Sequence, residues 1–321
     1  MSKSGENKVH FDKVALIGLG LIGSSLGHAM RRKKLAGHIA GHARSQQTRD
    51  TAMRLGFIDS AHDKAVDAVR DADLVILCTP IGACGEIAKA IAPALKKGAI
   101  LSDVGSVKSA VIRDVGPHVP NGVHFVPGHP IAGTEESGPQ SGFAELFDGR
   151  WCILTPADDP KAGSAQAEAV ETLKNFWLAC GSQVDVMDAA HHDLVLAITS
   201  HVPHLIAYNI VGTAADLEHV TQAEVIKYSA GGFRDFTRIA ASDPVMWRDI
   251  FLNNREAVLE MLGRFVEDLT ALQRAIRWGD GESLEALFTR TRAIRRSVVQ
   301  AGQDAPSANF GRPRDPQKNN S

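Results

Sequence analysis

The residues Val14-Ala15-Leu16-Ile17 run straight into Gly18-Leu19-Gly20-Leu21-Ile22-Gly23. An aliphatic strand that ends in G-x-G-x-x-G and opens into a helix is the start of a βαβ unit shaped to hold a dinucleotide. The first glycine permits a tight turn. The second lets a pyrophosphate approach the backbone, and the third lets helix and strand pack closely. The amides of the new helix's first turn, around Leu21 and Ile22, then face the phosphates. Three glycines in six residues are a weak signal alone, but the flanks sharpen it. Leu21, Ile22, Ser25, Leu26, Ala29 and Met30 fall on one helical face, so the reading is cofactor binding rather than a structural glycine turn.

The same alternation continues to about Asp185. Strands are predicted over Val14–Ile17, His38–His42, Leu74–Thr79, Ile100–Val104, Val123–Val126 and Cys152–Thr155, and helices over Gln46–Leu55, Ala65–Ala72, Cys84–Leu95 and Val107–Val115. The pattern implies an α/β fold, a Rossmann-type doubly wound parallel sheet. Ligands of such sheets sit at the carboxyl ends of the strands, which adds Thr79 and Pro80 to the cofactor set of Gly18, Gly20, Leu21, Ile22 and Gly23. From about Met187 the strand signals stop. Ala189–Ala214, Thr221–Ala230, Pro244–Trp278 and Glu282–Gln300 carry helical spacing or composition. The expected organisation is a polar segment 1–12, a dinucleotide-binding domain 13–186, an all-helical domain 187–302 and a disordered tail 303–321. A helix as long as Trp247–Trp278 cannot bury its apolar surface alone, which points to a subunit interface rather than a closed monomeric bundle.

Composition narrows the function classes. A formal net charge of −2 over 321 residues gives no basic field for nucleic acid or anionic lipid. No uninterrupted apolar stretch approaches transmembrane length, and Met1 to His10 has no signal-peptide core. Cys78, Cys84, Cys152 and Cys180 form no C-x-x-C pair, so reduced thiols of a cytoplasmic protein are expected rather than a redox or zinc role.

In NAD sites an acidic residue about 20 positions past the glycines grips the ribose hydroxyls. Between Gly20 and Asp50 this chain has no Asp or Glu; the end of the second strand reads Gly41-His42-Ala43-Arg44-Ser45. Arg44 and Ser45 would supply a cation and a hydrogen-bond donor for a 2′-phosphate, so NADP is favoured over NAD. The alternative is that Arg44 is a solvated loop residue.

Four further segments concentrate polar residues: Ser102-Asp103-Val104-Gly105-Ser106-Val107-Lys108; Gly128-His129-Pro130-Ile131-Ala132-Gly133-Thr134-Glu135; His191-His192-Asp193 with Ser200-His201-Val202-Pro203-His204; and Gly231-Gly232-Phe233-Arg234-Asp235-Phe236-Thr237-Arg238-Ile239-Ala240, followed by Ser242-Asp243-Pro244 and Trp247-Arg248-Asp249. In this order they resemble the prephenate/arogenate dehydrogenase family of tyrosine biosynthesis, from the glycine fingerprint to about Asn254. The resemblance implies a cytoplasmic homodimer with intertwined helical domains and an active site in the cleft between domains. It implies a small cyclohexadienyl substrate, hydride transfer to NAD(P), decarboxylation, and no metal.

Such chemistry needs an acceptor for the C4 hydroxyl proton and groups to hold a dianion. Neutral imidazole suits the first task near pH 7, and the resemblance assigns it to His129, placed after the predicted strand Val123–Val126. By the same resemblance Ser106 orients the hydroxyl, Arg238 grips a carboxylate, His204 contacts substrate, and Trp247 lies at a subunit-contributed edge of the pocket. His201, His192, Arg234 and Thr134 match motif positions with less defined roles. Bland readings stand beside these: a satisfied core histidine at 129, a metal pair at His201 and His204, a structural ion pair of Arg238 with Asp235, and a Lys108 that only caps carbonyls. Asp148 could favour arogenate's ammonium or be a turn residue with Gly149. The rival functions are another NAD(P)-dependent dehydrogenase acting on a β-hydroxy acid, and a non-catalytic NADP-binding protein.

Overall fold

The computed structural model describes residues 9–134, 136–157, 161–216 and 231–300. The helix expected over Thr221–Ala230, Glu135 of the second motif, most of the amino-terminal segment and the tail from 303 lie outside the described residues. The chain divides into two compact units after Arg255.

Six strands form one parallel sheet: β1 (Phe11–Ile17), β2 (Ala36–His42), β3 (Ser60–His62), β4 (Leu74–Leu77), β5 (Ile100–Asp103) and β6 (His124–Phe125), in the order β3-β2-β1-β4-β5-β6. Both faces are covered, as near-continuous aliphatic strands require. Val14, Leu16, Leu74 and Ile76 enter the core on one face. Their neighbours Ala15, Ile17, Val75 and Leu77 enter the core on the other. The strand order reverses between β1 and β4, which run in register from Val14↔Leu74 to Ile17↔Leu77. That switch point is where doubly wound sheets hold ligands. The helices α1 (Leu21–Lys33), α2 (Gln46–Leu55), α3 (Ala65–Ala68), α4 (Cys84–Ile91) and α5 (Lys108–Val115) make the crossovers.

Two placements differ from the sequence reading. The strand predicted at Cys152–Thr155 leaves the parallel sheet. As β8 (Trp151–Leu154) it pairs antiparallel with β7 (Gly128–Pro130) and parallel with β9 (Gln183–Val186). His129 therefore sits on a strand of its own, β7. The strands missed by sequence, β3, β7 and β9, are only three or four residues long, too short for an alternating pattern to mark them. Helix α6 (Ala165–Ala179) was also unpredicted. Ser164 caps it, accepting from the Ala167 amide at 3.2 Å, and Leu173, Phe176 and Trp177 are fully buried.

The helical half of the first unit opens with α7 (Ala189–Leu196), a π-type turn at Ala197–His201 and α8 (Val202–Ala215). Pro203 has no amide to give the turn before it, and wide turns of this kind concentrate at functional sites. The continuous run Ala189–Ala215 reaches a mean hydropathy of 1.5 and is long enough to cross a membrane by length and composition. The run is not uninterruptedly apolar. Buried polar His192, Asp193 and His201 lie within it. Next come α9 (Gly231–Thr237) and α10 (Pro244–Asn253). The single helix predicted over Pro244–Trp278 is broken at Asn254, whose buried side-chain amide donates to the Asp193 carbonyl at 2.8 Å.

The second unit holds α11 (Arg255–Trp278) from Glu256 onward and α12 (Gly281–Gln300), joined through Gly279 at φ +69°. Its apolar side chains Leu259, Val266, Leu269, Ile276, Trp278, Phe288 and Ile294 are exposed.

The fingerprint glycines divide by what a methyl group would meet. At Gly18, with φ +106°, it would lie 2.3 Å from the Cys78 carbonyl oxygen, and at Gly23 2.1 Å from the Gly18 carbonyl oxygen. At Gly20 it meets nothing within 4 Å. Gly23→Ala should therefore cost about 1–3 kcal/mol as overpacking and lower the melting temperature. Gly20→Ala should melt like the wild type yet bind dinucleotide at least tenfold more weakly, since only a ligand would occupy that space. Calorimetry and cofactor titration of the two variants check both halves.

Candidate active site

The site grows from the carboxyl end of β5. Asp103 ends that strand, and its Oδ2 accepts from the Gly105 amide at 2.7 Å while Oδ1 accepts from the Gly128 amide at 3.2 Å. Lys108, the first residue of α5, is wholly buried with Asp103. Its ammonium pairs with Asp103 Oδ2 and donates to the Gly128 carbonyl at 2.7 Å. One ion pair thus fastens β5, the β5–α5 turn and the edge of β7 beside His129. Lys108 does more than cap a carbonyl.

The amino end of α5 has no cap from its own turn. Its amides are taken by a carboxylate from another element. The Lys108 amide donates to Asp193 Oδ1 at 2.7 Å and the Ser109 amide to Asp193 Oδ2 at 2.9 Å. Asp193 sits on α7, so the helical segment is anchored to the sheet through a helix end that favours negative charge. Burial raises the Asp193 carboxyl, but the hydrogen bonds from His192 and from Ser109 and Lys108 outweigh it and hold it below the ordinary carboxylate value. Asn254 secures the same turn of α7 from the other side.

Asp193 Oδ1 lies 2.8 Å from His192 Nδ1, and His192 Nε2 lies 2.9 Å from His129 Nδ1. His192 is fully buried and His129 nearly so. Burial lowers both imidazoles below their ordinary value; for His129 the neighbouring His192 and the Lys108 cation add to the effect. His129 is thus no isolated core residue but the outer end of a line of polar groups.

The other histidines continue from it. His201 Nδ1 faces Asn254 Nδ2 at 3.0 Å, and its Nε2 is buried without a partner among the described residues. Burial lowers its pKa to about 4. His204 Nδ1 donates to the Ser200 carbonyl at 2.8 Å, and its ring stacks on Trp247 with centroids 3.6 Å apart. Burial lowers His204, and the Arg238 cation adds to that, so Arg238 lies on the His204 side of the cluster. Trp247 packs within its own chain, with Ile81, Val107, Ala110 and Ile250. Ser106, half-buried on the turn before α5, makes no side-chain hydrogen bond among the described residues. Thr134 Oγ1 accepts from the Glu136 amide at 3.2 Å, closing a turn. Arg234 is solvent-exposed and pairs with Asp235 at 3.3 Å.

At the switch point, Gly18 lies against Cys78 and Thr79. Leu21 and Ile22 are half-buried in the first turn of α1, and Pro80 is exposed beyond β4. Ser45 caps α2, accepting from the Thr48 amide at 3.4 Å. Arg44 is exposed. The buried Arg49 donates to the Ala43 and Arg44 carbonyls at 2.6 and 3.0 Å and pins that loop. Among the described residues no three His, Cys, Asp or Glu side chains group as metal ligands, and all four cysteines are free. Asp148 stands elsewhere. Arg32, near the carboxyl end of α1, grips it at 2.7 and 3.1 Å. It packs against Gly181. This is the far end of α1 from the glycine turn, which removes Asp148 from the substrate question.

Sequence reasoning missed Asp193 and Asn254 as site residues. The signal for Asp193 was present: a His-His-Asp triplet inside an otherwise apolar helix has a burial cost that only a polar partner offsets.

Comparison with known proteins agrees with this architecture. The family model for the prephenate dehydrogenase nucleotide-binding domain matches residues 26–186, and that for the prephenate dehydrogenase dimerization domain matches residues 188–290. A cyclohexadienyl dehydrogenase of Zymomonas mobilis is 44% identical over 90% of this chain and 96% of its own length. A prephenate dehydrogenase of Bacillus subtilis is 32% identical over 88% of this chain and 75% of its own. The crystal structure of A. aeolicus prephenate dehydrogenase with hydroxyphenyl propionate and NAD+ superposes with a TM-score of 0.81 at 33% identity, covering 91% of this chain and all of the other. The chain is a member of the prephenate dehydrogenase family of NAD(P)-dependent oxidoreductases.

Proposed function

We propose that this chain oxidises a cyclohexadienyl acid, prephenate or arogenate, with loss of CO2 to give 4-hydroxyphenylpyruvate or tyrosine. The observation that carries the reading is His129, a buried neutral imidazole whose Nδ1 is engaged by His192 and whose other nitrogen has no partner of its own among the described residues. The space left by the missing Gly20 side chain fits a dinucleotide pyrophosphate. When bound, the nicotinamide supplies the hydride acceptor for C4. His129 takes the C4 hydroxyl proton as the C–O bond gains carbonyl character, and Ser106 orients that hydroxyl. Loss of CO2 then leaves a phenolate, which takes the proton back. The reaction therefore releases no net proton, and a base shielded from water suffices. Arg238, a planar fork suited to carboxylate, binds the substrate anion with His204. The unsatisfied Nε2 of His201 supports a further donor in the same place. Trp247 backs His204. Thr134 and Arg234 border the site; the turn made by the first and the surface pair made by the second give them lesser parts. The function requires no metal.

We take the dinucleotide-binding domain to run over 13–186 and the helical substrate and dimerisation domain over 187–302, a division that the edges of the two family matches support. The exposed apolar faces of α11 and α12 favour a homodimer. The free cysteines fit a cytoplasmic protein.

NADP is the preferred cofactor in this reading. No carboxylate stands at the end of β2, Arg44 is solvent-facing, and Ser45 and the amino end of α2 lie beside it. NADP uses Arg44 and Ser45 with the fingerprint Gly18, Gly20, Leu21, Ile22 and Gly23, and with Thr79 and Pro80 after β4.

Reduced nicotinamide should accumulate when the full chain meets prephenate or arogenate with NADP+; absence of turnover with both acids would overturn the reading. His129→Asn should lower kcat by roughly 10²–10⁴-fold with cofactor affinity retained, as for a lost general base. Arg238→Ala should act mainly on KM. Arg44→Ala should cut kcat/KM for NADP+ by about 10–100-fold, the worth of a charged hydrogen bond, and leave NAD+ nearly untouched. Steady-state kinetics with both cofactors reads this directly.

A further inference from the structure

The direction of each hydrogen bond in the line Asp193–His192–His129 follows from what its members can donate. The Asp193 carboxylate, held ionised by two backbone amides, only accepts. His192 Nδ1 must therefore donate to it, across 2.8 Å. Burial keeps His192 neutral, so its Nε2 has no proton and accepts. His129 Nδ1 must then donate to His192 Nε2 across 2.9 Å, which leaves His129 Nε2 as a bare lone pair. The alternative tautomer of His129 would set two lone pairs against each other in a buried site.

We propose that His192 and Asp193 are positioning residues that fix His129 in its Nδ1–H tautomer and share the proton it takes. The inference rests on His129 being the base of the proposed oxidation. When His129 Nε2 accepts the hydroxyl proton, the Nδ1 proton moves to His192 Nε2. At His129 one N–H bond forms and one breaks; at His192 one forms and the Nδ1–H bond to Asp193 is kept, so the positive charge comes to rest on His192 beside the Asp193 carboxylate. The Lys108 cation opposes a charge on either ring, but only His192 has the Asp193 carboxylate hydrogen-bonded to it. When the phenolate reclaims its proton the two transfers reverse. Other groups facing the line are Lys108, with its partner Asp103, and His201. Because Asp193 also caps α5, the orientation of the base is tied to the turn carrying Ser106. A one-ring base needs no such chain; the second histidine is what the geometry adds.

The test uses full-length protein with 15N-labelled histidine, read without substrate, together with pH–rate profiles. In the wild type His129 should carry its proton on Nδ1. His192→Ala should release His129 into a mixture with the Nε2–H form. His192→Gln can accept from His129 and donate to Asp193, and so should keep the tautomer. It cannot take up a proton, however. It should lower kcat by about tenfold or more and move the acidic limb of kcat/KM to lower pH by about half a unit or more, because a base with a less basic partner binds its proton less tightly. A wild-type His129 protonated on Nε2, a tautomer unmoved in His192→Ala, or a His192→Gln limb that stays in place would each overturn the proposal. A role in packing alone would lower the melting temperature and leave the limb unmoved. Failure of the oxidation itself shows separately, as a wild type inert toward both acids with the tautomer result unaffected.

Discussion

The buried pairing of Lys108 with Asp103 is the constraint on which the site depends. Neither side chain is exposed at all, and an ion pair taken from water repays its desolvation only when the remaining lone pairs and protons are also satisfied. Here they are largely satisfied by backbone: Gly105 and Gly128 amides on the carboxylate, the Gly128 carbonyl on the ammonium. Each of those bonds fixes a backbone segment that a hydrophobic pair of equal volume would leave free. The Gly128 bonds matter most. They hold β7 against the end of β5, and β7 is the short strand that presents His129. Truncating either partner would leave an uncompensated charge in the core, a loss of about 3–5 kcal/mol, and would free the strand carrying the base.

Around that pair the buried charges nearly balance. Lys108 is offset by Asp103, and Asp193 by the amino end of α5, whose amides it accepts. The imidazoles of His129, His192, His201 and His204 are then added neutral, all lowered chiefly by burial. A histidine whose folded pKa lies below its unfolded value contributes fully above the unfolded value near 6.5, and its contribution is lost as pH falls below that toward the folded value. For His201 that window runs from 6.5 down to about 4. The cluster that suits proton transfer at neutral pH is thus also a reason for the fold to weaken in acid. Catalytic readiness and stability draw on the same neutral state.

Much of this was legible before any coordinates. The aliphatic runs at 14–17 and 74–77 are buried on both faces, so no solvent-facing position interrupts them and they stand out in the sequence. The glycine fingerprint carries its own explanation in the methyl contacts at positions 18 and 23. The strands that escaped were those held by partners rather than by pattern. Gly128-His129-Pro130 pairs with β8 for reasons of tertiary context, and Ser60-Ala61-His62 pairs along β2 with almost nothing apolar to signal it. The break at Asn254 was hidden likewise. A helix-compatible residue ends its helix there because its side chain is spent on the Asp193 carbonyl and His201. From the sequence, Asp148 was open to two readings, a partner for arogenate's ammonium or a turn residue with Gly149. Arg32 removes the first, through an ion pair spanning more than a hundred positions that no local window contains.

What local patterns cannot carry is direction, and direction is what the chemistry uses. A histidine in a motif has two nitrogens and two neutral forms. The choice between them at position 129, on strand β7, is made by a carboxylate two groups away on helix α7, itself committed by the amides of a third element. The borrowed proton of the reaction fits such an arrangement. It need never reach water, so the base can be buried, and burial keeps it neutral and ready. A base that had to exchange with solvent at every turnover would need exposure. Exposure would relax both the tautomer and the orientation that the buried line enforces.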